Sequence, residues 1–305
     1  MPAASETHVW TTRQLLKWMG DAFARRGLDQ PRLLAEMLLA MVLGCDRLRL
    51  YLDPERPASA AERARLRELV ARALADEPVQ YLTGEAWFFG LPFAVDRRVL
   101  IPRPSTVTLI ERVLAHARAQ PGIEDDLLIA DICTGSGCIA ATLAKHLPAA
   151  RVLASDISRE ALSVASQNIQ RHGVADRIEL LEGDLLDPIA GHPAVAEGST
   201  TSGVRYLVAN PPYIPDDEWG AVEPNVKNHE PTVALRGGPD GMAYVGRILR
   251  EGPKWIRSGG LLVVELAAAR ASHGLQLVQE HPRVAAAEMA RDQDGLDRIL
   301  VASIR

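Results

Sequence analysis

Cysteine is scarce in this sequence of 305 residues, which contains only Cys45, Cys133 and Cys138. Their number and spacing exclude a disulfide framework and a zinc site, and no other metal site is predicted. Long apolar runs are also missing, because no stretch approaches the roughly 18 apolar residues that a membrane helix needs. The first ten residues contain neither a basic patch nor an apolar run, so no export signal is expected. The sequence therefore predicts a cytoplasmic protein without a membrane partner.

Positive charge is in slight deficit, with a formal net charge of −5. The deficit is uneven, because residues 1–83 carry 12 basic and 11 acidic side chains whereas residues 84–305 carry 22 and 28. A long tract of phosphate contacts needs a basic surface, which the acidic part of the chain does not provide. A direct nucleic-acid partner is therefore not predicted.

The first quarter of the chain has the pattern of amphipathic helices. Apolar residues recur at intervals of three and four from residue 12 to about residue 79. Breaks rich in glycine and proline separate these segments, and Ser59 followed by Glu62 forms a capping-box signature. The pattern predicts a small all-helical domain over residues 1–83.

Residues 84–104 follow a different pattern, with short runs of aromatic and β-branched residues separated by glycine, proline and aspartate. Such runs predict a β-hairpin, which would link two domains. Trp87, Phe88 and Phe89 in this hairpin are more typical of an interdomain core than of a peptide-binding surface.

From residue 105 to residue 305, short apolar runs alternate with helical patterns. This alternation predicts βαβ units and a parallel sheet covered by helices on both faces. The last two apolar runs, 284–289 and 298–304, are too close together for a helical crossover, so they must pair antiparallel with each other or with a neighbour. The predicted fold class is α/β.

A glycine-rich turn follows the first of these apolar runs. Gly135, Gly137 and Ala140 fit the G-x-G-x-x-G/A pattern, in which the backbone turns sharply and approaches a ligand. Asp156 stands 19 positions after Gly137, where its carboxylate can accept both hydroxyls of a ribose. Asp184, after the next run, is placed either to accept an adenine amino group or to cap a helix. The pattern occurs in dinucleotide oxidoreductases and methyltransferases alike, and also in plain strand-to-helix turns.

A second motif, Asn210-Pro211-Pro212-Tyr213, directly follows an apolar strand. The two prolines restrict the backbone and hold the Asn210 carboxamide at the carboxyl edge of the sheet, where α/β proteins bind ligands. A planar NH₂ group has two donors, which the Asn210 side-chain oxygen and the Pro211 carbonyl can accept. The motif, which we call the Asn-Pro corner, therefore predicts a clamp for such a group.

The chemistry of a planar NH₂ group explains why a clamp helps. Its nitrogen lone pair is delocalised, so the nitrogen is a poor nucleophile. Holding both hydrogens aligns the nitrogen and stabilises the transition state for attack on an incoming carbon. No general base is needed, because a nitrogen that has accepted a methyl group becomes strongly acidic.

Together these motifs resemble the class I methyltransferases that use S-adenosylmethionine to modify planar amino groups. The helical N-terminal domain and residues 99–104 make the chain similar to the protein glutamine methyltransferases in particular. The resemblance implies a Rossmann-like seven-stranded sheet, a small helical domain that recognises the substrate, and S-adenosylmethionine as cofactor. The matching motifs are Asp131 with residues 134–137, Asp156, Asp184 and residues 210–213.

The resemblance also implies residue roles. Catalysis falls to Asn210, Pro211 and Tyr213, with the tyrosine ring packed over the substrate amide. Substrate binding uses these residues together with Pro212 and Glu230. The Asp131 side chain would hold the amino group of the methionine moiety of the cofactor. The full set of implied cofactor-binding residues is Asp131, Thr134, Gly135, Gly137, Asp156, Asp184 and Asn210.

Two branches of this family differ in substrate: one modifies the Gly-Gly-Gln loop of release factors, the other a glutamine of large-subunit ribosomal protein three. Arg103-Pro104 resembles the release-factor branch, but residues 105–107 lack the acidic residue usual there. Three features resemble the ribosomal branch: Cys133 with Cys138, Trp87-Phe88, and His229-Glu230-Pro231. We therefore predict the ribosomal protein as substrate, with the release factor as the alternative.

An acidic stretch follows the Asn-Pro corner, with five acidic residues and one lysine between residues 216 and 230. This charge would attract a basic polypeptide and repel phosphates, so we hypothesise that it steers a basic ribosomal protein. A nucleic-acid adenine methyltransferase is the less favoured alternative, since it needs a basic surface and room for a flipped base. Glu265, which ends a later strand and faces the same edge, is equally compatible with a supporting role and with none.

Overall fold

The computed structural model describes residues 9–120, 127–195 and 203–305. The start of the chain, where no export signal is expected, lies outside these residues. By its internal contacts the chain divides into two units, one of Met1–Gly84 with Pro224–His229 and one of Glu85–Glu223 with Glu230–Arg305. A short segment from late in the sequence therefore belongs to the first unit.

Five consecutive helices make up most of the first unit: α1 Thr12–Arg26, α2 Pro31–Leu43, α3 Arg49–Leu52, α4 Ala60–Leu74 and α5 Val79–Thr83. The predicted capping box is present, because the Ser59 hydroxyl accepts from the Glu62 N–H and the Glu62 carboxylate accepts from the Ser59 N–H. The apolar stripes of the helices face one another and form a core that includes Met19, Phe23, Leu38, Leu39, Leu66 and Leu69.

A seven-stranded sheet forms the centre of the second unit. Two strands of the unit form a separate sheet, β1 Glu85–Phe88 and β2 Leu91–Ala94. The seven strands of the central sheet are β3 Leu127–Ile132, β4 Ala150–Asp156, β5 Ile178–Glu182, β6 Val204–Ala209, β7 Ile256–Glu265, β8 Val284–Arg291 and β9 Asp297–Ile304. The sheet has the order β5-β4-β3-β6-β7-β9-β8. Strands β3 to β7 are parallel, and β9 pairs antiparallel with both β7 and β8. The predicted Rossmann-like seven-stranded sheet is confirmed, including its antiparallel end.

Helices cover both faces of this sheet. The helices after β2 are α6 Val107–Arg118, α7 Cys138–His146, α8 Arg159–Arg171, α9 Asp187–Ala190, α10 Pro224–Lys227, α11 Ala243–Glu251 and α12 Ala271–Gln279. Of these, α10 lies in the segment that belongs to the first unit. Apolar side chains of α6, α7 and α8 pack on one face, and those of α9, α11 and α12 pack on the other. All six residues of β3 are buried, as expected for a strand covered on both sides.

The predicted hairpin is formed by β1 and β2. Phe88 and Phe93 are buried in the core of the second unit, and their rings meet edge to face with centroids 6.3 Å apart. The Asn168 side chain exchanges hydrogen bonds of 2.7 and 3.0 Å with the Ala94 backbone. Trp87 differs from the expected core position, because 61% of its surface is exposed.

Helix α6 is the main element that the sequence analysis does not predict. Its buried residues Leu109, Ile110, Val113, Leu114 and Ala117 have helical spacing, which is the signal that identifies it in retrospect. The start of the helix is rich in β-branched residues, which lower helix propensity. A 3₁₀ turn at Pro104–Thr106 directly precedes it.

Within the three described ranges, no helix combines the length and the apolar character required to cross a bilayer. The His, Cys, Asp and Glu side chains of the same ranges form no group of three that could hold a metal ion.

Candidate active site

The two motifs meet at the centre of the sheet. Strands β3 and β6 are parallel neighbours, and the strand order reverses between them, since β4 and β5 lie on one side and β7 on the other. In the register of this pair, Ile132 lies opposite Ala209. The glycine turn after β3 and Asn210 after β6 therefore leave the sheet side by side at a topological switch point, the usual ligand site of such folds.

The glycine turn, residues 133–137, has the backbone conformation that the pattern predicts. Gly135 and Gly137 have positive φ angles of +55° and +76°, and Cys133 also has a φ of 60°. A Cβ atom added to Gly137 would lie 3.1 Å from the Ala165 Cβ. Gly137 therefore allows the start of α7 to approach α8 closely, whereas a Cβ atom added to Gly135 would meet no atom closer than 4.0 Å.

Asp131 at the end of β3 is a buried carboxylate with one unused oxygen. Its Oδ2 accepts the Thr134 hydroxyl at 2.6 Å and the Ala140 N–H at 3.1 Å. Its Oδ1 is buried and has no hydrogen-bond partner among the described residues. Burial raises the pKa of Asp131 to about 7, although the two hydrogen bonds oppose this shift. Such an orphaned acceptor fits the ammonium group of an amino-acid ligand.

Asp156 at the end of β4 ties its strand to the glycine turn. Its carboxylate accepts the Gly135 N–H and the Ser158 N–H, each at 2.9 Å. Burial raises the pKa of Asp156 above its ordinary value, and these hydrogen bonds oppose the rise. Each oxygen keeps a lone pair for a ligand hydroxyl. The sequence analysis missed the next residue, Ile157, which is 57% exposed and offers an apolar surface beside this carboxylate.

Asp184 has a partner within the protein. Its Oδ2 accepts Arg247 Nη1 of α11 at 2.6 Å, and Arg247 also pairs with Asp187. The carboxylate predicted to accept an adenine amino group is thus already engaged by a guanidinium through one oxygen.

The Asn-Pro corner follows β6 and is braced from behind. Asn210 Nδ2 donates to the Thr106 hydroxyl oxygen at 3.1 Å, and the Asn210 Oδ1 atom accepts no hydrogen bond from a described residue. Two glycines pack against the corner: an added Cβ would lie 2.7 Å from the Tyr213 Cα at Gly237 and 2.4 Å from the Tyr213 carbonyl oxygen at Gly241. These glycines are functional candidates that the motif alone does not reveal.

A second buried carboxylate lies beside the corner. Glu265 ends β7 with 0% exposure, and its two oxygens accept the hydroxyls of Ser105 at 2.7 Å and Thr106 at 2.6 Å. The Tyr213 hydroxyl lies 3.5 Å from the same carboxylate. Burial raises the pKa of Glu265, whereas the two hydroxyls and Arg298 lower it. This arrangement favours the supporting role for Glu265 that the sequence analysis leaves open.

Glu230 has both carboxylate oxygens engaged within the protein. The oxygens accept the Ile101 N–H at 3.0 Å and Arg103 Nη2 at 2.6 Å, and the side chain is only 1% exposed. Glu230 therefore fastens residues 99–104 to the segment that follows the Asn-Pro corner. Its predicted contact with a substrate stays a prediction.

The acidic stretch is partly neutralised in the folded chain. Asp216 pairs with Arg236 at 2.7 Å, and Glu230 pairs with Arg103. The remaining charge that could act on a partner is that of Asp217, Glu218 and Glu223, all of which are exposed.

Comparison with known proteins gives a consistent assignment. Family models described as "PrmC N-terminal domain" and "Methyltransferase domain" match residues 14–84 and 129–197. A release factor glutamine methyltransferase of Chlorobaculum tepidum is 42% identical over 96% of this chain and 97% of that protein. Its counterpart in Geobacter sulfurreducens is 36% identical over 96% of both chains. The chain belongs to the glutamine methyltransferase family. It is an enzyme, and its cofactor is S-adenosylmethionine.

Solved structures of lower identity agree on the fold. The hMettl16 catalytic domain, crystallised with the MAT2A 3'UTR hairpin 6, has a TM-score of 0.51 and 17% identity over 71% of this chain and 77% of that chain. The delta-N METTL16 MTase domain has a TM-score of 0.50 and 20% identity over 71% and 90%. These likenesses show the fold alone.

The relatives are named for release factors, which agrees with the alternative substrate rather than with the ribosomal protein. Three of the residues that suggested the ribosomal branch have a structural role. Cys138 is buried at the start of α7, Phe88 belongs to the core, and Glu230 braces residues 99–104. Trp87, by contrast, is 61% exposed.

Proposed function

We propose that this enzyme transfers the methyl group of S-adenosylmethionine to the side-chain amide nitrogen of the glutamine in the Gly-Gly-Gln loop of release factors. The names of its relatives, which match almost the whole chain, support this substrate over the ribosomal protein. The observation that carries the chemistry is the Asn210 side chain, whose nitrogen faces Thr106 and whose oxygen is left to accept a hydrogen bond from a ligand.

In this proposal the Asn-Pro corner grips the substrate amide. The Asn210 Oδ1 and the Pro211 carbonyl accept its two N–H groups, and the Tyr213 ring packs over its plane. Because both hydrogens are held, the nitrogen is aligned for attack without a general base. The proton of the methylated amide then leaves to water. Pro212 keeps the backbone of the corner rigid.

The cofactor supplies an electrophilic methyl group when it is bound. We assign its ammonium group to the orphaned Oδ1 of Asp131, which Thr134 holds in place, and its ribose hydroxyls to Asp156. Gly135 and Gly137 shape the turn beside it. Asp184 reaches the adenine through the oxygen that Arg247 does not use.

The domain roles belong to the same proposal. Residues 1–83 recognise the substrate protein, residues 84–104 link the domains, and residues 105–305 hold the cofactor and the catalytic groups. The exposed acids of the stretch at 216–230 assist by attracting a basic polypeptide. A cytoplasmic location follows from a substrate that works in translation.

Labelled S-adenosylmethionine, incubated in parallel with release factors and with large-subunit ribosomal proteins, tests the substrate. We expect label in the Gly-Gly-Gln peptide of a release factor, located by mass spectrometry, and none after the glutamine of that peptide is changed to glutamate. Label in ribosomal protein three alone would reinstate the ribosomal branch.

The Asn210→Ala variant tests the clamp. We expect it to abolish transfer while the dissociation constant for S-adenosylmethionine, measured by titration calorimetry, changes little. Transfer at the wild-type rate by this variant would contradict the proposed chemistry.

A further inference from the structure

A buried chain of hydrogen bonds joins Glu265 to Asn210 through Thr106. Asn210 Nδ2 donates to Thr106 Oγ1 at 3.1 Å, and Thr106 Oγ1 donates to Glu265 Oε2 at 2.6 Å. Thr106 and Glu265 are buried, at 2% and 0% exposure. Neither side chain belongs to the clamp itself, and the three residues come from the turn before α6 and the ends of β6 and β7.

The direction of each hydrogen bond follows from the protons available. The hydroxyls of Ser105 and Thr106 and the charge of Arg298 favour the ionised form of Glu265, which can only accept, so the Thr106 hydroxyl gives its single proton to this carboxylate. The Thr106 oxygen can then only accept. Opposite an acceptor, an asparagine amide must present its NH₂ group, because the flipped amide would bring two oxygens together. The Asn210 oxygen is thereby turned away from Thr106.

We propose that Glu265 and Thr106 are positioning residues that set the orientation of the Asn210 amide, so that its oxygen is presented to the NH₂ group of the substrate. This inference rests on the proposed function, because a clamp needs an acceptor at that point. A protonated Glu265 would donate to Thr106, which could then donate to the Asn210 oxygen. The amide would turn over and the clamp would lose its acceptor.

The ionic state of Glu265 is governed by groups on several elements. Ser105 and Thr106 donate to it, the Tyr213 hydroxyl lies 3.5 Å away, and Arg298 of β9 favours its charged form. Asp292, in the turn before β9, opposes the charge. The Ser105 hydroxyl binds the other carboxylate oxygen, Oε1, and thus not the oxygen that meets Thr106.

The decisive variant is Thr106→Val, which keeps the shape of the side chain but removes the hydroxyl. We expect kcat at saturating cofactor to fall at least tenfold, while the dissociation constant for S-adenosylmethionine stays within threefold of wild type. Thr106→Ser restores the hydroxyl and should recover most of kcat. Thr108→Val is the matched control: Thr108 is also buried and two positions further on, and this change should not affect kcat.

Two measurements separate positioning from a merely structural role. The side-chain amide resonances of Asn210, assigned by their loss in Asn210→Ala, should shift in Thr106→Val and return in Thr106→Ser. In wild type, kcat at saturating cofactor should fall as pH is lowered and Glu265 takes up a proton. In Glu265→Gln, which cannot titrate there, this acid limb should vanish.

Each outcome has a defined meaning. Wild-type kcat in Thr106→Val, an equal loss in Thr106→Ser, or an acid limb that persists in Glu265→Gln would overturn the inference. If wild type labels no glutamine at all, the proposed function fails. In that case the Asn210 resonances still show whether Thr106 sets the amide orientation.

Discussion

Asp131 and Glu265 are two fully buried carboxylates at the same edge of one sheet, and they differ in their partners. Glu265 has both oxygens bonded to hydroxyls of the protein, whereas Asp131 leaves Oδ1 without a partner. Both lie at the end of a strand, and burial raises the pKa of each. The difference lies in whether the protein itself completes the hydrogen bonding.

The role of a buried carboxylate depends on whether the protein completes its hydrogen bonds. A carboxylate whose hydrogen bonds are complete within the protein orients its neighbours, as Glu265 does for Thr106. An ionised carboxylate with an orphaned oxygen carries a desolvation cost of about 1–3 kcal/mol, which a bound donor can offset. This difference supports the proposed roles, with Asp131 holding the cofactor and Glu265 orienting the clamp.

The largest effect expected from breaking this contrast is that of Asp131→Asn. Loss of the charge should weaken S-adenosylmethionine binding by about 100-fold, the cost of roughly one charge-assisted hydrogen bond. Titration calorimetry measures this change. Glu265→Gln, the matched change at the other carboxylate, should leave the dissociation constant nearly unaltered, and equal losses would erase the distinction.

The same substitution should act in the opposite direction on the stability of the cofactor-free protein. The folded-state pKa of Asp131 is about 7 against an ordinary 3.8, so the neutral acid stabilises the fold below about pH 4 and this contribution is lost as pH rises to 7. Asparagine stays neutral at every pH. Near pH 8 the free energy of unfolding of Asp131→Asn should therefore equal that of the wild type or exceed it by roughly 1 kcal/mol. A clear loss of stability there would show that Oδ1 is satisfied after all.

Gly137→Ala should have the next largest effect. Its positive φ and the 3.1 Å approach of an added Cβ to the Ala165 Cβ should lower the free energy of unfolding by about 2 kcal/mol. Gly135→Ala is the control for conformational strain alone, because the added Cβ would meet no atom closer than 4.0 Å, and it should cost about 1 kcal/mol. Chemical denaturation and calorimetry measure the loss of stability in each of the two variants. Equal losses in Gly137→Ala and Gly135→Ala would show that the contact with Ala165 has no special role.

The pH dependence of cofactor binding tests the role of the Asp131 carboxylate. In the proposed assignment the ionised Asp131 holds the ammonium group, so the affinity for S-adenosylmethionine should fall as pH drops below about 7, by up to roughly tenfold for each pH unit. In Asp131→Asn the weak residual affinity should not follow this curve. Affinity of the wild type that stays constant from about pH 5 to 8 would contradict the assignment of Oδ1 to the ammonium group.

The smallest effect is expected for Tyr213→Phe. The Tyr213 hydroxyl is 3.5 Å from Glu265, which is too long for a strong hydrogen bond, so its loss should change kcat by less than about threefold. Tyr213→Ala, which also removes the ring over the substrate amide, should lower kcat far more. A large loss in the phenylalanine variant would place the hydroxyl rather than the ring in the mechanism.

The sequence analysis succeeded where the signal is local. Helical spacing predicted the helices of the first unit, and the alternation of apolar runs predicted the sheet and its antiparallel end. It failed for helix α6, whose β-branched start obscures its apolar spacing, and for the surface position of Trp87. The relatives agree better with the alternative substrate branch than with the one preferred from the sequence.

The partners of the site residues were beyond sequence reasoning for a physical reason. Thr106 meets Glu265 across 159 positions, and Ile101 meets Glu230 across 129. No periodicity or spacing rule connects residues so far apart, since their proximity depends on the order of strands in the folded sheet.

By itself, the sequence determined which backbone segments form helices, strands and the rigid proline and glycine turns, because those preferences reside in each residue and its near neighbours. The tertiary structure is needed to show which buried carboxylate has an oxygen without a hydrogen-bond partner, and which way the Asn210 amide faces. These properties depend on hydrogen-bond partners from distant strands, and an acceptor is orphaned or satisfied only when the whole sheet is assembled.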